Sequence, residues 1–298
     1  MPGLTVALAL LIADPLILGA QQPFPIGSAE DIDMIEGHAD PAERMTVPVA
    51  VEGTGPFRFL IDTGSQRTVV SSEIAARLAL QPGPSVRIVG VAGVGQAATA
   101  RVQALAFGKQ SLADLTVPLL DDRHIGADGI IGTDALQHRR VVLDFAKETI
   151  SVGTPREVGG NSGYEIVVRA RRRDGRLILT DALIDGVRTD VVVDTGAAGT
   201  IGNRALQQAL REKNLGTGAI VSVTGQVVWA DFGLARKLDL GALSIGNVAI
   251  AFTDAPAFAE LRLREKPAIF LGMREMRAFR RIAIDFPTRK VFFDIESR

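Results

Sequence analysis

Short apolar runs alternate with Gly, Pro, Asp and Asn at close intervals through most of the chain. Residues 45–51 are mainly apolar and lead into a turn-forming stretch, 52–56, after which the apolar run 57–61 ends at Asp62. Runs of about four to eight residues bounded by turn residues are typical of β-strands. The pattern therefore predicts an all-β protein with a few short helices, in which a hairpin places Asp62 where a strand meets a loop.

The same pattern occurs a second time further along the chain. Residues 177–184 lead into an Asp-Gly turn, and the run 189–193 returns and ends at Asp194. The two copies align without a gap at an offset of 132 residues, the separation between Asp62 and Asp194. A buried carboxylate at the end of an apolar strand is costly to fold around. Two such carboxylates in matching surroundings indicate a pair that meets in the folded protein.

The repeat extends well beyond the two strand ends. Ser71 or Ser72, and Asn203 in the second copy, are residue types that cap helices, and each precedes an amphipathic stretch. Later in each copy an apolar pair and a glycine precede a short helix and another strand, as Ile130-Ile131-Gly132 and Phe270-Leu271-Gly272. A whole domain of roughly 120 to 130 residues is therefore duplicated, far longer than a solenoid unit of roughly 20 to 50.

Turn-forming residues separate the two copies and precede the first one, which indicates where the domains end. Each copy can enclose its own core, because 47% of the 298 residues are apolar. The predicted segments are a leader at 1–20, a linker at 21–40, a first lobe at 41–155, a joint at 156–163 and a second lobe at 164–298.

The N-terminal segment has features of a signal peptide. Residues 4–13 form an apolar stretch of suitable length, and Leu18-Gly19-Ala20 ends in the small residues that signal peptidases prefer. These features predict export to the periplasm or beyond. An uncleaved membrane tether and a disordered apolar tail stay open as alternatives, because no Lys or Arg precedes the apolar run and Asp14-Pro15 interrupts it.

The composition excludes several kinds of function. The 33 basic and 34 acidic residues nearly balance, so no charge excess points to a nucleic-acid partner. Cysteine is absent, which rules out disulfides, thiolate nucleophiles and sulfur-ligated metals. The three histidines, His38, His124 and His138, lack the spacing of a zinc hydrolase. We expect neither a metal nor another cofactor.

The two apolar-Asp-Thr-Gly loops and the two later apolar-apolar-Gly motifs resemble those of aspartic proteases of the retropepsin-like and pepsin-like clan. The match covers both halves of the chain, and the absence of cysteine is closer to a fused, single-chain retropepsin dimer of bacterial type than to a pepsin. The resemblance implies two acid-protease lobes related by a pseudo-twofold axis, each a closed β-barrel-like unit. Because both aspartates lie in one chain, no dimer is needed and we expect a monomer. The resemblance also implies that Asp62 and Asp194 are the catalytic residues, in a cleft between the lobes.

The resemblance assigns supporting roles to the neighbours of the two aspartates. It implies that Thr63 and Thr195 exchange hydroxyl-to-backbone hydrogen bonds across the lobes. Gly64 and Gly196 let the backbone turn sharply and approach each carboxylate, which a side chain would obstruct. In the family the later motif packs across the active-site loop in a ψ-shaped crossing, and the residues that correspond here are Ile131, Gly132, Leu271 and Gly272.

Two carboxylates can hydrolyse an amide without a metal if one takes a proton from water while the other donates one. Like-charge repulsion between them separates their titrations, so that one is ionised while the other keeps its proton. The two copies differ at the next residue, where Ser65 can donate a hydrogen bond from its hydroxyl to Asp62 and Ala197 offers none to Asp194. We therefore expect Asp194 to carry the shared proton.

The expected partner is a peptide or protein substrate that lies extended under two β-hairpin flaps. No membrane partner is expected unless the N-terminal segment is left uncleaved. The candidate flap residues are Val91, Ala92, Gly93, Val94 and Gly95 in the first lobe and Thr224, Gly225 and Gln226 in the second.

Simpler interpretations compete with several of these assignments. An Asp-x-Gly sequence after a strand is also a common turn. Asp144 and Asp285 repeat as well, but each lies between apolar strand residues, so we predict structural hydrogen bonds to a turn. Gly93 and Gly95 imitate a dinucleotide fingerprint without the βαβ unit that it requires. The function that competes with an aspartic endopeptidase is a catalytically silent module of the same fold that binds peptides or a partner protein.

Overall fold

The computed structural model describes residues 11–12, 34–36, 38–39, 44–210 and 215–295. Most of the predicted leader and linker therefore lies outside the described residues. The described part consists mainly of strands with six short helices, which confirms the predicted all-β class. Within it no helix has the length and apolar character needed to cross a lipid bilayer.

The strands are numbered in chain order, and we call the part from β3 to β12 lobe one and the part from β13 to β22 lobe two. The first twelve strands are β1 (Leu11–Ile12), β2 (Met34–Glu36), β3 (His38–Ala39), β4 (Met45–Val51), β5 (Thr54–Ile61), β6 (Val69–Ser71), β7 (Gln81–Val89), β8 (Val94–Phe107), β9 (Gln110–Leu120), β10 (Gly129–Ile131), β11 (Arg140–Asp144) and β12 (Thr149–Gly153). The others are β13 (Ile166–Arg173), β14 (Arg176–Ile184), β15 (Val187–Val193), β16 (Thr200–Gly202), β17 (Thr217–Val221), β18 (Val227–Leu240), β19 (Leu243–Phe252), β20 (Ala268–Leu271), β21 (Arg281–Asp285) and β22 (Lys290–Asp294). The helices are α1 (Ser72–Arg77), α2 (Asp122–Ile125), α3 (Thr133–Leu136), α4 (Arg204–Leu210), α5 (Pro256–Glu260) and α6 (Met273–Met276).

The sheet of lobe one folds back on itself. Its strands lie in the order β7-β8-β9-β6-β10-β5-β4-β3, β1 pairs with the outer edge of β7, and β8 also pairs with β4. β10 runs parallel to β5 on one side and antiparallel to β6 on the other. Since β10 lies between the strand that ends at Ile61 and the strand that begins at Val69, the loop that carries Asp62 passes over the end of β10.

Lobe two repeats this arrangement. Its strands lie in the order β17-β18-β19-β16-β20-β15-β14, with an added pairing of β18 and β14. β20 is inserted between β15 and β16 in the same way, parallel to the first and antiparallel to the second. The duplication predicted from the sequence is therefore a duplication of sheet topology.

The strand that leads to each aspartate carries apolar side chains on both faces, and each face packs against a cluster of buried side chains. In β5, Phe59 and Ile61 pack into a large cluster of buried side chains that both lobes share, whereas Leu60 faces a separate cluster with Val69 and Ile130. We call this second group the flap-side cluster of lobe one. Its counterpart, the flap-side cluster of lobe two, contains Val192 of β15.

A continuous stretch of sheet joins the lobes. β11 of lobe one pairs antiparallel with β21 of lobe two, and β12 and β22 extend the sheet on either side. In this register Arg140 lies opposite Asp285 and Asp144 lies opposite Arg281. The lobes are thus connected by backbone hydrogen bonds as well as by the joint.

A buried ion pair fastens this shared sheet. Arg140 Nε donates to Asp285 Oδ2 at 3.0 Å, its Nη2 donates to the same oxygen, and both side chains are at most 1% exposed. The guanidinium also donates to the carbonyl of Gly160 and to the side chain of Asn161, both in the joint. A buried ion pair stabilises a fold only if its other hydrogen bonds are made, and here they hold the joint against the sheet.

The predicted structural role of the repeated aspartates Asp144 and Asp285 is confirmed. Asp144 Oδ1 accepts a hydrogen bond from the backbone N–H of Lys147 at 3.0 Å, and Asp285 Oδ1 accepts one from that of Thr288 at 3.0 Å. Each carboxylate thus closes the turn that follows its strand.

Replacing Asp285 by Asn is expected to lower the free energy of unfolding by about 3 to 5 kcal/mol, because the charge of Arg140 would remain buried without its counter-ion. Urea denaturation measures the change. The matched control is Asp181→Asn, which breaks the exposed pair between Arg188 and Asp181 and should cost at most about 1 kcal/mol. Equal losses in the two variants would contradict a stabilising role for the buried pair.

Candidate active site

Asp62 and Asp194 occupy equivalent positions at the ends of β5 and β15. The backbone N–H of Asp62 donates to the carbonyl of Ile131 at 3.0 Å, and that of Asp194 donates to the carbonyl of Leu271 at 3.1 Å. These bonds continue the parallel pairing of each strand with its inserted neighbour, β10 or β20. Both side chains are buried, with exposed fractions of 1% and 0%.

The glycine of each triplet faces the aspartate of the other lobe. A Cβ atom at Gly64 would run into the carboxyl group of Asp194, and one at Gly196 would run into that of Asp62. Each carboxyl group also influences the pKa of the other. The structure thus brings together the two aspartates that the repeat singled out, and glycine is required because any side chain would occupy the space of a carboxyl group.

Thr63 and Thr195 exchange four hydrogen bonds across the two lobes, the exchange that the family resemblance implies. The hydroxyl of Thr63 donates to the carbonyl of Val193 at 2.8 Å and accepts from the backbone N–H of Thr195 at 3.2 Å. In the opposite direction, the hydroxyl of Thr195 donates to the carbonyl of Ile61 at 2.6 Å and accepts from the N–H of Thr63 at 3.0 Å. Each loop is therefore fixed by the other lobe.

The apolar-apolar-Gly motifs pack beneath the loops. A side chain at Gly132 would meet the backbone of Arg67, and one at Gly272 would meet the backbone of Gly199. The N–H groups of these glycines donate to the hydroxyls of Thr68 and Thr200, each at 3.2 Å. Ile131 and Leu271 are the residues whose carbonyls bind the two aspartate N–H groups.

Burial raises the pKa of both aspartates, but by different amounts. At Asp62 burial is opposed chiefly by two backbone N–H groups, those of Gly64 and Ser65, each 2.8 Å from Oδ1. The pKa of Asp194 is raised well above its usual range, first by burial and then by the charge of Asp62, and among the described residues one N–H group, that of Gly196 at 3.0 Å, donates to this carboxyl. We therefore predict that Asp194 is the residue that keeps its proton.

The remaining oxygen of Asp194 fits this assignment. Asp194 Oδ2 is buried and has no hydrogen-bond partner among the described residues. A carboxylate accepts hydrogen bonds only, but a protonated carboxyl group can donate one. A proton on Asp194 thus provides a donor between two groups that would otherwise repel each other.

The predicted reason for this asymmetry is wrong in one respect. The hydroxyl of Ser65 donates to the carbonyl of Arg67 at 2.9 Å and not to Asp62. The backbone N–H of Ser65 bonds both the side chain and the backbone carbonyl of Asp62, at 2.8 and 3.3 Å, whereas that of Ala197 bonds the backbone carbonyl of Asp194 at 3.4 Å. The two copies therefore differ in one hydrogen bond of this N–H group rather than in a bond of the hydroxyl.

Sequence reasoning missed a buried arginine beside the loops. Arg176, the first residue of β14, has an exposed fraction of 0%, and its Nε donates to the carbonyl of Gly64 at 2.7 Å. Burial lowers its pKa to about 10, against the opposing charge of Asp62, so it is still cationic at neutral pH. The signal for it was present, because Arg176 aligns with Arg44 at the same 132-residue offset as the two aspartates.

Sequence reasoning also missed two buried acids behind the loops. Asp134 of α3 accepts hydrogen bonds from the N–H and hydroxyl of Thr68 at 2.9 and 2.8 Å. Glu275 of α6 accepts from the hydroxyl of Thr200 at 2.6 Å. Burial raises the pKa of both acids. Because these acids lie at different offsets in the two copies, alignment of the repeats did not reveal them.

The predicted flap residues lie in or beside two hairpin turns that meet each other. Val91, Ala92 and Gly93 form the turn between β7 and β8, with Val94 and Gly95 at the start of β8, and Thr224, Gly225 and Gln226 form the turn before β18. A side chain at Gly93 would touch Gln226, and one at Gly225 would collide with His124 of α2. Trp229 of β18 is 66% exposed and lies on the surface.

Each hairpin inserts a valine into the opposite lobe. Val91 belongs to the flap-side cluster of lobe two with Ala197, and Val223 belongs to the flap-side cluster of lobe one with Ile130. Both valines are at most 1% exposed. Between the hairpins and α2 lies a pocket of about 330 Å³, with Ile88, Ala97, Leu120, Asp121, His124 and Gln226 in its lining.

Replacing Thr63 by Val is expected to lower the free energy of unfolding by about 2 kcal/mol. The loss of the hydroxyl would leave the N–H of Thr195 and the carbonyl of Val193 buried without partners. Thr63→Ser keeps the hydroxyl and should lose much less stability. Urea denaturation of both variants checks this, and equal destabilisation would show that the methyl group rather than the hydroxyl matters.

The unequal aspartates predict a pH-dependent difference between two isosteric variants. An acidic group with a higher pKa in the folded than in the unfolded protein lowers the free energy of unfolding as the pH rises. The loss begins near the unfolded-state pKa of 3.8 and is complete above the folded-state pKa. Asp62→Asn retains the carboxyl group of Asp194, which receives one backbone hydrogen bond. Asp194→Asn retains the carboxyl group of Asp62, which receives two. The Tm values should be similar below about pH 4, and Asp194→Asn should become increasingly the more stable variant as the pH rises. A Tm difference independent of pH would refute the assignment.

Comparison with known protein families matches two segments of the chain, residues 47–135 and 180–274, to the family described as Aspartyl protease. Each segment contains one Asp-Thr-Gly loop and the apolar-apolar-Gly motif beneath it, and together they cover more than half of the 298 residues. A comparison with curated proteins found no match. The family match thus follows the duplicated topology, and the chain belongs to the aspartyl protease family.

Proposed function

We propose that this protein is an aspartic endopeptidase in which Asp62 and Asp194 activate a water molecule against a peptide bond held between the lobes. The observation that supports the proposal is that each buried carboxyl group lies against the glycine of the other lobe's loop, while reciprocal hydrogen bonds join the two loops. Burial raises the pKa of both groups, and that of Asp194 further than that of Asp62. Enzymes place paired titratable groups in different environments when one acts as a base and the other as an acid.

The proposed roles follow from the proton assignment. Ionised Asp62 takes a proton from the water, whose oxygen attacks the carbonyl carbon, while protonated Asp194 donates its proton to the carbonyl oxygen. In the second step Asp62 donates the proton that it gained to the amide nitrogen, the C–N bond breaks, and Asp194 takes back a proton from the diol. Both carboxyl groups return to their starting states, and neither a metal nor a covalent intermediate is required.

The expected substrate is a peptide or protein segment in an extended conformation, since membership of the family implies a peptide substrate. The hairpins with Val91 and Val223 at their turns are the proposed flaps. Because these valines and both aspartates are buried in the present arrangement, we infer that the hairpins separate before a substrate binds.

Three other features stay predictions. They are the segment boundaries, export through a leader at 1–20, and function as a monomer. The monomer prediction rests on the presence of both aspartates in one chain.

Cleavage of a mixed peptide library between acidic and neutral pH tests the proposed function. Asp62→Asn and Asp194→Asn should each reduce the rate by about a thousandfold, because each removes one partner of general acid–base catalysis. The control is Asp254→Asn, which removes an exposed carboxylate paired with Arg264 and should retain the wild-type rate.

Two outcomes would overturn the proposal. Equal cleavage by the wild type and both site variants would show that the activity arises elsewhere. Peptide binding without cleavage by any form would favour a catalytically silent binding module of the same fold.

A further inference from the structure

Arg176 reaches from lobe two into the aspartate loop of lobe one. Its Nε donates to the carbonyl of Gly64 at 2.7 Å, and its Nη1 donates to the carbonyl of Asp174 in the adjacent hairpin turn at 2.9 Å. Its Nη2 is also buried and has no hydrogen-bond partner among the described residues. Burying a guanidinium is costly, so a fully buried arginine at this position calls for an explanation.

Gly64 connects this arginine to both aspartates. Its N–H donates to Asp62 Oδ1 at 2.8 Å, its Cα faces the carboxyl group of Asp194, and its carbonyl accepts from Arg176. A displacement of the Gly64 carbonyl would therefore change the geometry of both carboxyl groups. Arg176 fixes that carbonyl from the opposite lobe.

The charge of Arg176 acts on the same pair. Among the described residues, the charges that act on it are those of Asp62 and Asp194 in the two loops, Asp174 in its own hairpin turn and Glu260 on α5. A nearby positive charge favours the ionised form of a carboxyl group, so the guanidinium counteracts the rise in the pKa of both aspartates that burial causes.

The pseudo-symmetric residue in lobe one makes a different contact. Arg44 aligns with Arg176 at the 132-residue offset and is 3% exposed, but its Nη2 donates to the carbonyl of Ile125 in α2 at 2.8 Å. The two lobes thus keep an arginine at the same position and use it differently.

We propose that Arg176 is a positioning residue that holds the lobe-one loop and sets the pH range in which Asp62 and Asp194 share a proton. This inference rests on the proposed function in one respect, namely that the proton shared by Asp62 and Asp194 takes part in catalysis. Activity requires one ionised and one protonated carboxyl group, so the working range lies between the two apparent titrations of the pair. By favouring the ionised forms, the arginine places that range at lower pH.

The test is the pH dependence of kcat/KM for Arg176→Gln against the matched variant Arg44→Gln. Removal of the charge beside the pair should move both the acidic and the alkaline limb of the profile upward, by about one pH unit. Arg44→Gln removes an equally buried arginine and should leave both limbs in place. Unmoved limbs in Arg176→Gln, or equal shifts in the two variants, would overturn the proposal.

Arg176→Lys separates charge from positioning and serves in place of Arg176→Gln if the latter does not fold. Lysine keeps the positive charge but not the planar donor geometry of arginine. The limbs of the pH profile should therefore move by less than half of the shift seen in Arg176→Gln. If Arg176→Gln does not fold, the expected shift is less than about half a pH unit. The value of kcat should fall by roughly tenfold because the loop is less well held. Larger limb shifts, or an unchanged kcat, would contradict the two roles assigned to Arg176.

Titration of the aspartate carboxyl groups by ¹³C NMR, with signals assigned from Asp62→Asn and Asp194→Asn, distinguishes failure of this inference from failure of the proposed function. If no form cleaves peptides but Arg176→Gln still raises the titration of the pair relative to wild type, the positioning role holds and the peptidase function does not. If cleavage occurs and the titration is unchanged in Arg176→Gln, the peptidase function holds and the inference fails.

Discussion

The burial of two carboxyl groups against each other is the constraint on which the rest of this structure depends. Each carboxyl group loses its hydration on burial, and two neighbouring negative charges would repel each other strongly in a medium of low polarity. The arrangement is tolerable only if one group is neutral and the other receives hydrogen bonds in place of water. The N–H groups of Gly64 and Ser65 supply these hydrogen bonds to Asp62. The glycines leave room for the opposite carboxyl group, and the charge of Arg176 favours the ionised form of Asp62.

The same constraint explains why the lobes are joined so tightly near the site. A small separation of the loops would increase the distance between the aspartates and admit bulk water, which would weaken the coupling between their titrations. The reciprocal bonds of Thr63 and Thr195 prevent this locally, because each hydroxyl is bonded to the backbone of the other lobe. The shared sheet, with the buried pair of Arg140 and Asp285, resists rotation of one lobe against the other. These contacts lie in separate parts of the chain and hold the same interface.

The sequence was sufficient to predict what is repeated. The class of fold and the pairing of Asp62 with Asp194 were predicted from patterns that occur twice at nearly constant spacing. The crossing beneath each loop was implied by the resemblance to a known family. Contacts that differ between the copies were not predictable in this way. The hydroxyl of Ser65 turns to its own backbone, and Val223 enters the opposite lobe, for reasons that only the packing of the two lobes shows. Arg176 is the instructive case, since the repeat marks its position but not the contact that it makes.

The two hairpins bear on the order of events in the proposed reaction. Val91 and Val223 are each buried in the flap-side cluster of the opposite lobe, and exposing a buried valine costs roughly 1.5 to 3 kcal/mol. Separation of the hairpins therefore exposes apolar surface on both lobes at once. A peptide that lies between them can cover this surface with its own side chains, so the cost of opening is offset only when a chain of suitable length and apolar character is bound. The closed hairpins would in this way exclude water from the aspartates until a substrate takes the place of the two valines.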